Sequence, residues 1–377
     1  MSETLTIALL GAGQLGGSFM LGLREAGADI HVRAYDPSPT HAEELKARGG
    51  ADVICTSPQD AVRAADMVLL ASPLRSYRAL AEAIAPYVAN GTIVTDLGSV
   101  KGCMQAVARA LPTAHIVPAH PIAGSEKSGP SAARDDLFSG KLCILTPDES
   151  TDENAFRAVE ALWEMVGADV IAMPHEVHDQ IYAHVSHLPH YIAFASASYF
   201  HTLGIRLNAD DTMLQQFLRI SRSNPRMWTD VALENREALL PVIGTYIALL
   251  EHFASELRAG EPTSGGDSQA IVKALLPRVL AASLISSVSL YEKQSSTNLR
   301  PFGGAGMRDI VAPAAVAPEA DTESISHHAT QMAELIEGIL PYFRTLESLI
   351  GAEDEPALYA AISQMAEHAH ALVVARN

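Results

Sequence analysis

Apolar residues in the first half of the chain come in short runs separated by helical patterns. Leu5 to Leu10, Ile30 to Tyr35, Asp66 to Ser72, Thr92 to Asp96, His115 to Ala119, Lys141 to Thr146 and Gly167 to Met173 read as strands. Between them apolar positions recur at helical spacing, as in Phe19, Met20, Leu23 and Ala26, and again across Asn154 to Met165. This alternation predicts a parallel sheet flanked by helices, ending near Met173. Beyond that point the pattern is helical throughout, and Ser324 to Arg376 reads as amphipathic helices. Arg258 to Asp267 is rich in Gly, Pro and Ser and reads as a linker; Ala312 to Ala320 is Ala/Pro-rich and is expected to be irregular. The expected division is an α/β domain over residues 1–173, a helical domain over 174–260 and a helical extension over 268–377.

The first strand runs into Gly11-Ala12-Gly13-Gln14-Leu15-Gly16, and a helical pattern follows. Strand, GxGxxG, helix is the context of a dinucleotide-binding, Rossmann-type turn. The glycines permit a tight turn and close approach of backbone to a pyrophosphate, which the N–H groups and dipole of the helix then favour. Asp36 ends the second strand, 36 − 16 = 20 residues past Gly16, where a carboxylate would accept from adenosine ribose hydroxyls and repel a 2′-phosphate. The preferred cofactor is therefore NAD rather than NADP, although a turn aspartate before Pro37 would look the same. Ligands collect at the carboxyl ends of parallel strands, which places Ser72, Pro73, Ser99 and Lys101 near the cofactor by position alone. Ser99 equally suits the N-cap of the helix after it.

A chain of 377 residues with 48% hydrophobic content has ample core for two or more domains. Its net charge of −18 argues against nucleic acid and anionic membrane surfaces, which need clustered cations. Three scattered cysteines, Cys55, Cys103 and Cys143, form neither a disulfide framework nor a metal motif. The opening Met1-Ser2-Glu3-Thr4 lacks a basic leader. The best candidate for a membrane span, Ile271 to Leu290, is interrupted by Lys273, Pro277 and Arg278, so no span is expected. A cytoplasmic protein with reduced thiols is expected.

Two histidine stretches carry the candidate chemistry, Ala119-His120-Pro121-Ile122-Ala123-Gly124-Ser125-Glu126-Lys127-Ser128-Gly129 and Ser186-His187-Leu188-Pro189-His190. His120 falls at the end of the strand predicted over His115 to Ala119, followed by a rigid loop. Oxidising an alcohol with a nicotinamide needs a base for the hydroxyl proton, and histidine is the commonest side chain for that task. A structural histidine is the competing reading. His175, His178, His184, His187 and His190 share one helical pattern, but there is no HExxH and few facing carboxylates, so no metal is expected.

These stretches, with Leu97-Gly98-Ser99-Val100-Lys101, Arg219-Ile220-Ser221-Arg222-Ser223-Asn224-Pro225-Arg226-Met227-Trp228 and Leu233-Glu234-Asn235-Arg236-Glu237, resemble the prephenate/arogenate dehydrogenases of tyrosine biosynthesis. The resemblance covers residues 5 to 255. It implies NAD-dependent oxidative decarboxylation of a cyclohexadienol, with His120 taking the ring hydroxyl proton and Ser99 bonding the same hydroxyl. It implies that Arg219 holds a substrate carboxylate, where a planar fork suits a bidentate grip. It also places His190, Ser186 and His187 in the substrate pocket, Ser125 and Glu126 beside it, and Trp228 close by. Two other readings stay open: a β-hydroxyacid dehydrogenase, which would need a lysine early in the second domain although none lies between Lys141 and Lys273, and an NAD-binding sensor or scaffold without turnover.

The chain departs from that family at one place. The glycine-rich turn, GGG-aromatic-basic-Asp, expected a few residues before the arginine, is replaced by Asp211-Thr212-Met213-Leu214-Gln215-Gln216. Pro301-Phe302-Gly303-Gly304-Ala305-Gly306-Met307-Arg308-Asp309 resembles the missing turn. An internal duplication of the helical half accounts for this. Leu188-Pro189-His190 matches Leu276-Pro277-Arg278, Gln216 matches Asp309, and Pro225 matches Pro318. The same register sets Leu250, Phe253 and Leu257 opposite Phe343, Leu346 and Ile350. An unrelated helical extension is the alternative. Family members are dimers in which a neighbour's glycine-rich turn approaches the site, so the duplication predicts either a monomeric pseudo-dimer, with Asp309 as a substrate-site residue, or an unusual homodimer.

Overall fold

The computed structural model describes residues 4–124, 127–259, 268–315 and 325–372. They form two compact units, Met1–Asp179 and Gln180–Asn377.

The first unit is built on a six-stranded parallel sheet: β1 (Leu5–Leu10), β2 (Ile30–Tyr35), β3 (Val53–Ile54), β4 (Met67–Leu70), β5 (Ile93–Asp96) and β6 (His115–Ile116). The strand order is β3-β2-β1-β4-β5-β6, the doubly wound order whose reversal between β1 and β4 opens a crevice at the carboxyl ends of those strands. Ile7, Leu9, Val32 and Leu69 are buried because both faces of a parallel sheet are covered by helices. Helix Glu153–Met165 starts where Asp152 accepts from the Ala155 N–H, satisfying a donor the helix cannot. It delivers Trp163 against Phe19 of helix Gln14–Glu25, with ring centroids 4.3 Å apart, and edge-on against Phe138 at 5.1 Å.

Two details differ from the strand pattern. The run His115 to Ala119 is not one strand. Val117 donates to Val94 in the six-stranded sheet, but Pro118 has no N–H and the ladder stops there. The chain then enters a second sheet as β7 (Ala119–Pro121), antiparallel to β8 (Leu142–Leu145), which runs parallel to β9 (Asp169–Ala172). His120 therefore sits inside β7, paired with Ile144, and not at the end of a strand of the main sheet. The strand β3, two residues long, was too short to leave an apolar pattern.

The second unit is helical. A π-helical turn, Ala183–His187, leads into helix Leu188–Thr202. The wide turn fits a helix whose second residue, Pro189, cannot donate to the preceding turn. Leu188–Thr202 is buried on almost every face, as expected of a helix that is apolar all round. Around it lie Thr212–Phe217, the 3₁₀ turn Arg219–Arg222, Pro225–Glu234, Arg236–Ala259, Leu276–Ser295, Ala305–Val311, Ala329–Gly351 and Glu355–Leu372. Ala312–Ala315 of the stretch expected to be irregular forms a 3₁₀ turn, and the rest of that stretch, like residues 260–267 of the expected linker, lies outside the described residues.

Two helical stretches, Arg236–Ala259 and Ile271–Ser295, are long and apolar enough to cross a membrane by length and composition alone, a test that buried core helices also meet. Both pack within the helical unit, where the Tyr246 hydroxyl donates to the Leu280 carbonyl.

Candidate active site

The glycine loop has the shape its spacing predicts. Gly11 has φ +117, and a Cβ there would lie 2.5 Å from the Ala71 carbonyl oxygen, so only glycine fits between β1 and the end of β4. A Cβ on Gly16 would lie 2.6 Å from the Gly11 oxygen and 2.9 Å from Leu9, so this glycine lets the helix press onto the sheet. Gly13, by contrast, faces open space at the N-cap of Gln14–Glu25, a 12-residue helix with no acidic side chain in its first turn. That is a fit for a pyrophosphate: the first-turn N–H groups, a positive dipole end and no side chain at Gly13 in the way. Asp36 braces this loop. Its Oδ2 accepts from the Ala12 N–H at 2.9 Å and its Oδ1 from the Ser38 N–H at 2.8 Å, while His41 Nδ1 stands 3.4 Å from Oδ1. Gln14 Nε2 donates to the Ala132 carbonyl, Leu15 is half-buried, and the Ser72 and Ser76 hydroxyls are 2.8 Å apart beside the exposed Pro73.

His120 is held by a chain of polar contacts that assigns its tautomer. Asp179 accepts from the backbone N–H groups of Lys101 and Gly102, each at 2.8 Å. Burial alone would raise its pKa, but these bonds and the contact with His178 hold it below the ordinary carboxylate value. An ionised Asp179 must receive a proton from His178, so His178 donates from Nδ1 to Asp179 Oδ1 at 2.8 Å. Burial lowers the pKa of His178 and keeps the ring neutral. Its Nε2 therefore accepts, and the donor 2.8 Å away is His120 Nδ1–H. This leaves the basic lone pair of His120 on Nε2, so that atom is the one able to take a proton as a general base.

The strand carrying His120 is anchored by a buried ion pair. Lys101 is 0% exposed; its Nζ donates to Asp96 Oδ2 and, at 2.6 Å, to the Ala119 carbonyl. Asp96 Oδ1 in turn accepts from the Ala119 N–H at 3.0 Å. Lys101 thus ties β7 to the end of β5 rather than reaching toward a cofactor. Such pairs are costly to break from one side, by about 3–5 kcal/mol, because the remaining charge stays buried. Ser99 lies half-buried between these anchors. It does not cap the following helix, Met104–Ala110, whose N-cap is Cys103.

In the helical unit, His190, Trp228, Arg219 and Asp309 gather around one place. The His190 ring stacks on Trp228, centroids 3.6 Å apart, and its Nδ1 donates to the Ser186 carbonyl at 2.8 Å. Asp309, from the distant helix Ala305–Val311, accepts from Arg219 Nε at 2.7 Å and from Gln216 Nε2 at 3.0 Å. The Arg219 side chain is 50% exposed and Asp309 only 10%, so the guanidinium is oriented from behind and open in front. Gly306 lies against His190: a Cβ there would come within 3.2 Å of the imidazole Cε1. His187 is placed differently from the expectation. It is buried in the helical core, accepting from the Asn235 amide at 2.9 Å, with its ring edge-on to Trp228. Ser125 and Glu126 lie outside the described residues.

Burial pushes His190 down to about 3 from 6.5, with Arg219 acting in the same sense and the bond to Ser186 opposing. As pH falls from 6.5 toward 3, the unfolded chain binds a proton that the folded ring refuses, so this residue costs stability progressively through that window and nothing above it. The expected result is a Tm that falls more steeply between about pH 6.5 and pH 4 in the wild type than in His190→Asn. Equal slopes in thermal unfolding would show that His190 accepts its proton in the folded state.

The histidine pattern pointed to this region without revealing who meets whom. His178 is the residue missed as the partner of His120, 58 positions away. Its one local signal was the His178-Asp179 pair. The five patterned histidines form no common cluster: His187 and His190 share Trp228, whereas His184 contacts the Gln180 carbonyl and Tyr291.

Comparison with known proteins agrees with this geometry. The family described as "Prephenate dehydrogenase, nucleotide-binding domain" matches residues 19–172, and "Prephenate dehydrogenase, dimerization domain" matches residues 174–264. The cyclohexadienyl dehydrogenase of Zymomonas mobilis is 36% identical over 269 residues, 69% of this chain and 90% of that protein. The crystal structure of prephenate dehydrogenase from Aquifex aeolicus, in complex with hydroxyphenyl propionate and NAD+, is similar with a TM-score of 0.62 and 34% identity, over 68% of this chain and 91% of that one. A second Aquifex aeolicus prephenate dehydrogenase structure is similar with a TM-score of 0.60 and 31% identity, over 77% of this chain and 98% of that one. With a glycine loop shaped for a dinucleotide, a histidine of assigned tautomer and two family domains in order, the chain belongs to the prephenate dehydrogenase family.

Proposed function

We propose that this oxidoreductase converts prephenate to 4-hydroxyphenylpyruvate, arogenate to tyrosine, or both, by oxidative decarboxylation. The observation that carries the reading is the Asp179–His178–His120 chain, which leaves His120 Nε2 as the base. NAD, when bound, supplies the hydride acceptor. Gly11, Gly13 and Gly16, with Gln14 and Leu15, form the turn that would hold its pyrophosphate, and Ser72 and Pro73 stand at the end of the neighbouring strand. The charge of Asp36 disfavours a 2′-phosphate, which supports NAD over NADP.

His120 accepts the proton of the ring hydroxyl, and Ser99 orients the same hydroxyl. Arg219 holds a substrate carboxylate through its open face, and Asp309 keeps the guanidinium in that attitude. His190, neutral across the working range, offers Nε2 as a hydrogen-bond acceptor while Trp228 supports its ring. Ser186 belongs to this assembly through its carbonyl, and Ser125 and Glu126 through the family resemblance alone. His187 acts from the second row, by packing behind Trp228.

The helical half carries the family's dimerization domain. The finer reading is a chain that works as a monomeric pseudo-dimer or as a homodimer, on a small-molecule substrate and without nucleic acid or membrane. A cytoplasmic setting is supported by three free thiols, two of them buried.

The test is the initial rate of NADH formation by purified protein, with prephenate and arogenate offered separately and NAD or NADP as acceptor. NAD-dependent turnover of either compound is expected, and the ratio sets the substrate preference. No turnover of either, with NAD still bound, would overturn the reading in favour of a nucleotide sensor or scaffold.

A further inference from the structure

The helical unit pairs residues with their own counterparts. Helices Leu188–Thr202 and Leu276–Ser295 both begin Leu-Pro and start 276 − 188 = 88 residues apart. The second is longer by 20 − 15 = 5 residues, and downstream the separation becomes 93. That separation relates Thr212–Phe217 to Ala305–Val311, the 3₁₀ turn Arg219–Arg222 to Ala312–Ala315, and the start of Arg236–Ala259 to that of Ala329–Gly351. Pro318, the expected match of Pro225, lies outside the described residues.

Two contacts join positions that this register makes equivalent. Gln216 donates to Asp309, and Arg344 bonds Glu251; both pairs are separated by 93 residues. In a two-fold assembly, only a residue on the axis touches its own equivalent, and every other contact occurs twice with the roles exchanged. One such exchanged pair joins the long helices to the Leu-Pro helices. Arg236–Ala259 packs on Leu276–Ser295, and Ala329–Gly351 packs on Leu188–Thr202. The two long helices also pack on each other, with the Tyr246 and Phe343 rings edge-to-face at 5.2 Å.

The geometry points to a two-fold dimer interface folded into one chain: residues 268–315 and 325–351 belong to a second dimerization domain, seated on the first where a partner subunit would sit, and helix Glu355–Leu372 follows it. The dimerization family matches only residues 174–264, so the second copy has diverged beyond that pattern. Its divergence is directional. Copy one keeps His190 and Arg219; at the equivalent positions copy two has Arg278 and Ala312. Copy two keeps Gly303 to Asp309, and it is these residues, Gly306 and Asp309, that reach His190 and Arg219. One substrate half-site is assembled per chain, entirely in cis, and its counterpart has lost both side chains.

This inference uses the proposed reaction only in its second test. The first needs no activity. Glu251→Cys with Arg344→Cys places two thiols at exposed axis positions, to be joined by a short bismaleimide, with each single variant as control. The expected product is a link within one 40.1 kDa chain at every dilution, located by peptide mapping. A two-chain band on a denaturing gel would overturn the inference.

The second test mixes Arg219→Ala with Asp309→Ala under conditions that allow subunits to exchange, after circular dichroism shows both folded. Sites completed in cis give no more than the sum of the separate activities. Sites completed by a neighbour would regain about a quarter of wild-type activity, since half the dimers would be mixed and each would hold one intact site. That recovery would also overturn the inference. If neither substrate is turned over by the wild type, the proposed function fails and the crosslink still decides the architecture.

Discussion

Replacing His120 with Asn lowers kcat by about 10²–10⁴-fold, the usual contribution of a positioned general base. Asn keeps a polar side chain of similar reach and can still donate toward His178 Nε2, so the loss isolates basicity from packing. NAD affinity is expected to stay within about threefold of wild type, because the glycine loop is built from β1 and β4 and not from β7. The pH profile separates this role from a structural one. In the wild type, kcat/KM falls on the acid side as the lone pair on Nε2 is lost; in His120→Asn that limb flattens. His178→Phe gives a smaller loss, because it removes the group that fixes the tautomer while leaving the base itself. A His120→Asn enzyme retaining more than a tenth of wild-type kcat in steady-state kinetics would remove His120 from the chemistry.

Replacing Arg219 with Ala raises KM by about 30-fold or more, taking the lower end of the 2–5 kcal/mol range for truncating one member of a buried charge pair. The lower end applies because half of the Arg219 side chain is exposed and water screens it. Losing the carboxylate grip is one part of the effect. The other is that Asp309, only 10% exposed, is left without its cation and repels an incoming carboxylate. Removing Asp309 as well should therefore recover part of the lost KM, so that the double variant binds substrate better than Arg219→Ala alone. Arg219→Lys restores the charge but not the fixed orientation, since Nε and Nη2 both reach Asp309 Oδ2. If Arg219→Ala left KM unchanged, or Asp309→Ala made the double variant worse, the carboxylate-binding assignment would fail.

What the sequence disclosed follows the range of the interactions involved. β1, β2 and the glycine loop were legible because strand periodicity and turn chemistry are local properties of a few adjacent residues. The end of β6 was misread because a proline two residues past it, Pro118, moves the chain from one sheet to another without breaking the apolar run. Lys101 sat in a recognisable motif, yet its partners were invisible: Asp96 is near in sequence, but the Ala119 carbonyl becomes available only when β7 forms. His178 was one of five histidines in a single pattern, and only the fold selects it as the neighbour of His120. The match of Gln216 to Asp309 was read as a similarity between two segments. That the two side chains touch each other is a property of the folded chain alone.

An axis that runs through one chain escapes a constraint that binds every homodimer. Where two identical subunits meet on their symmetry axis, each residue faces a copy of itself, so aspartate meets aspartate and arginine meets arginine. Here the axial positions carry Gln216 against Asp309 and Glu251 against Arg344, pairings of unlike partners that no pair of identical subunits can make. A substitution in such a gene enters the interface once instead of twice, so selection can tune one side while holding the other. Division of labour between the halves, with one grasping the substrate and the other steadying the grip, is the outcome such freedom permits.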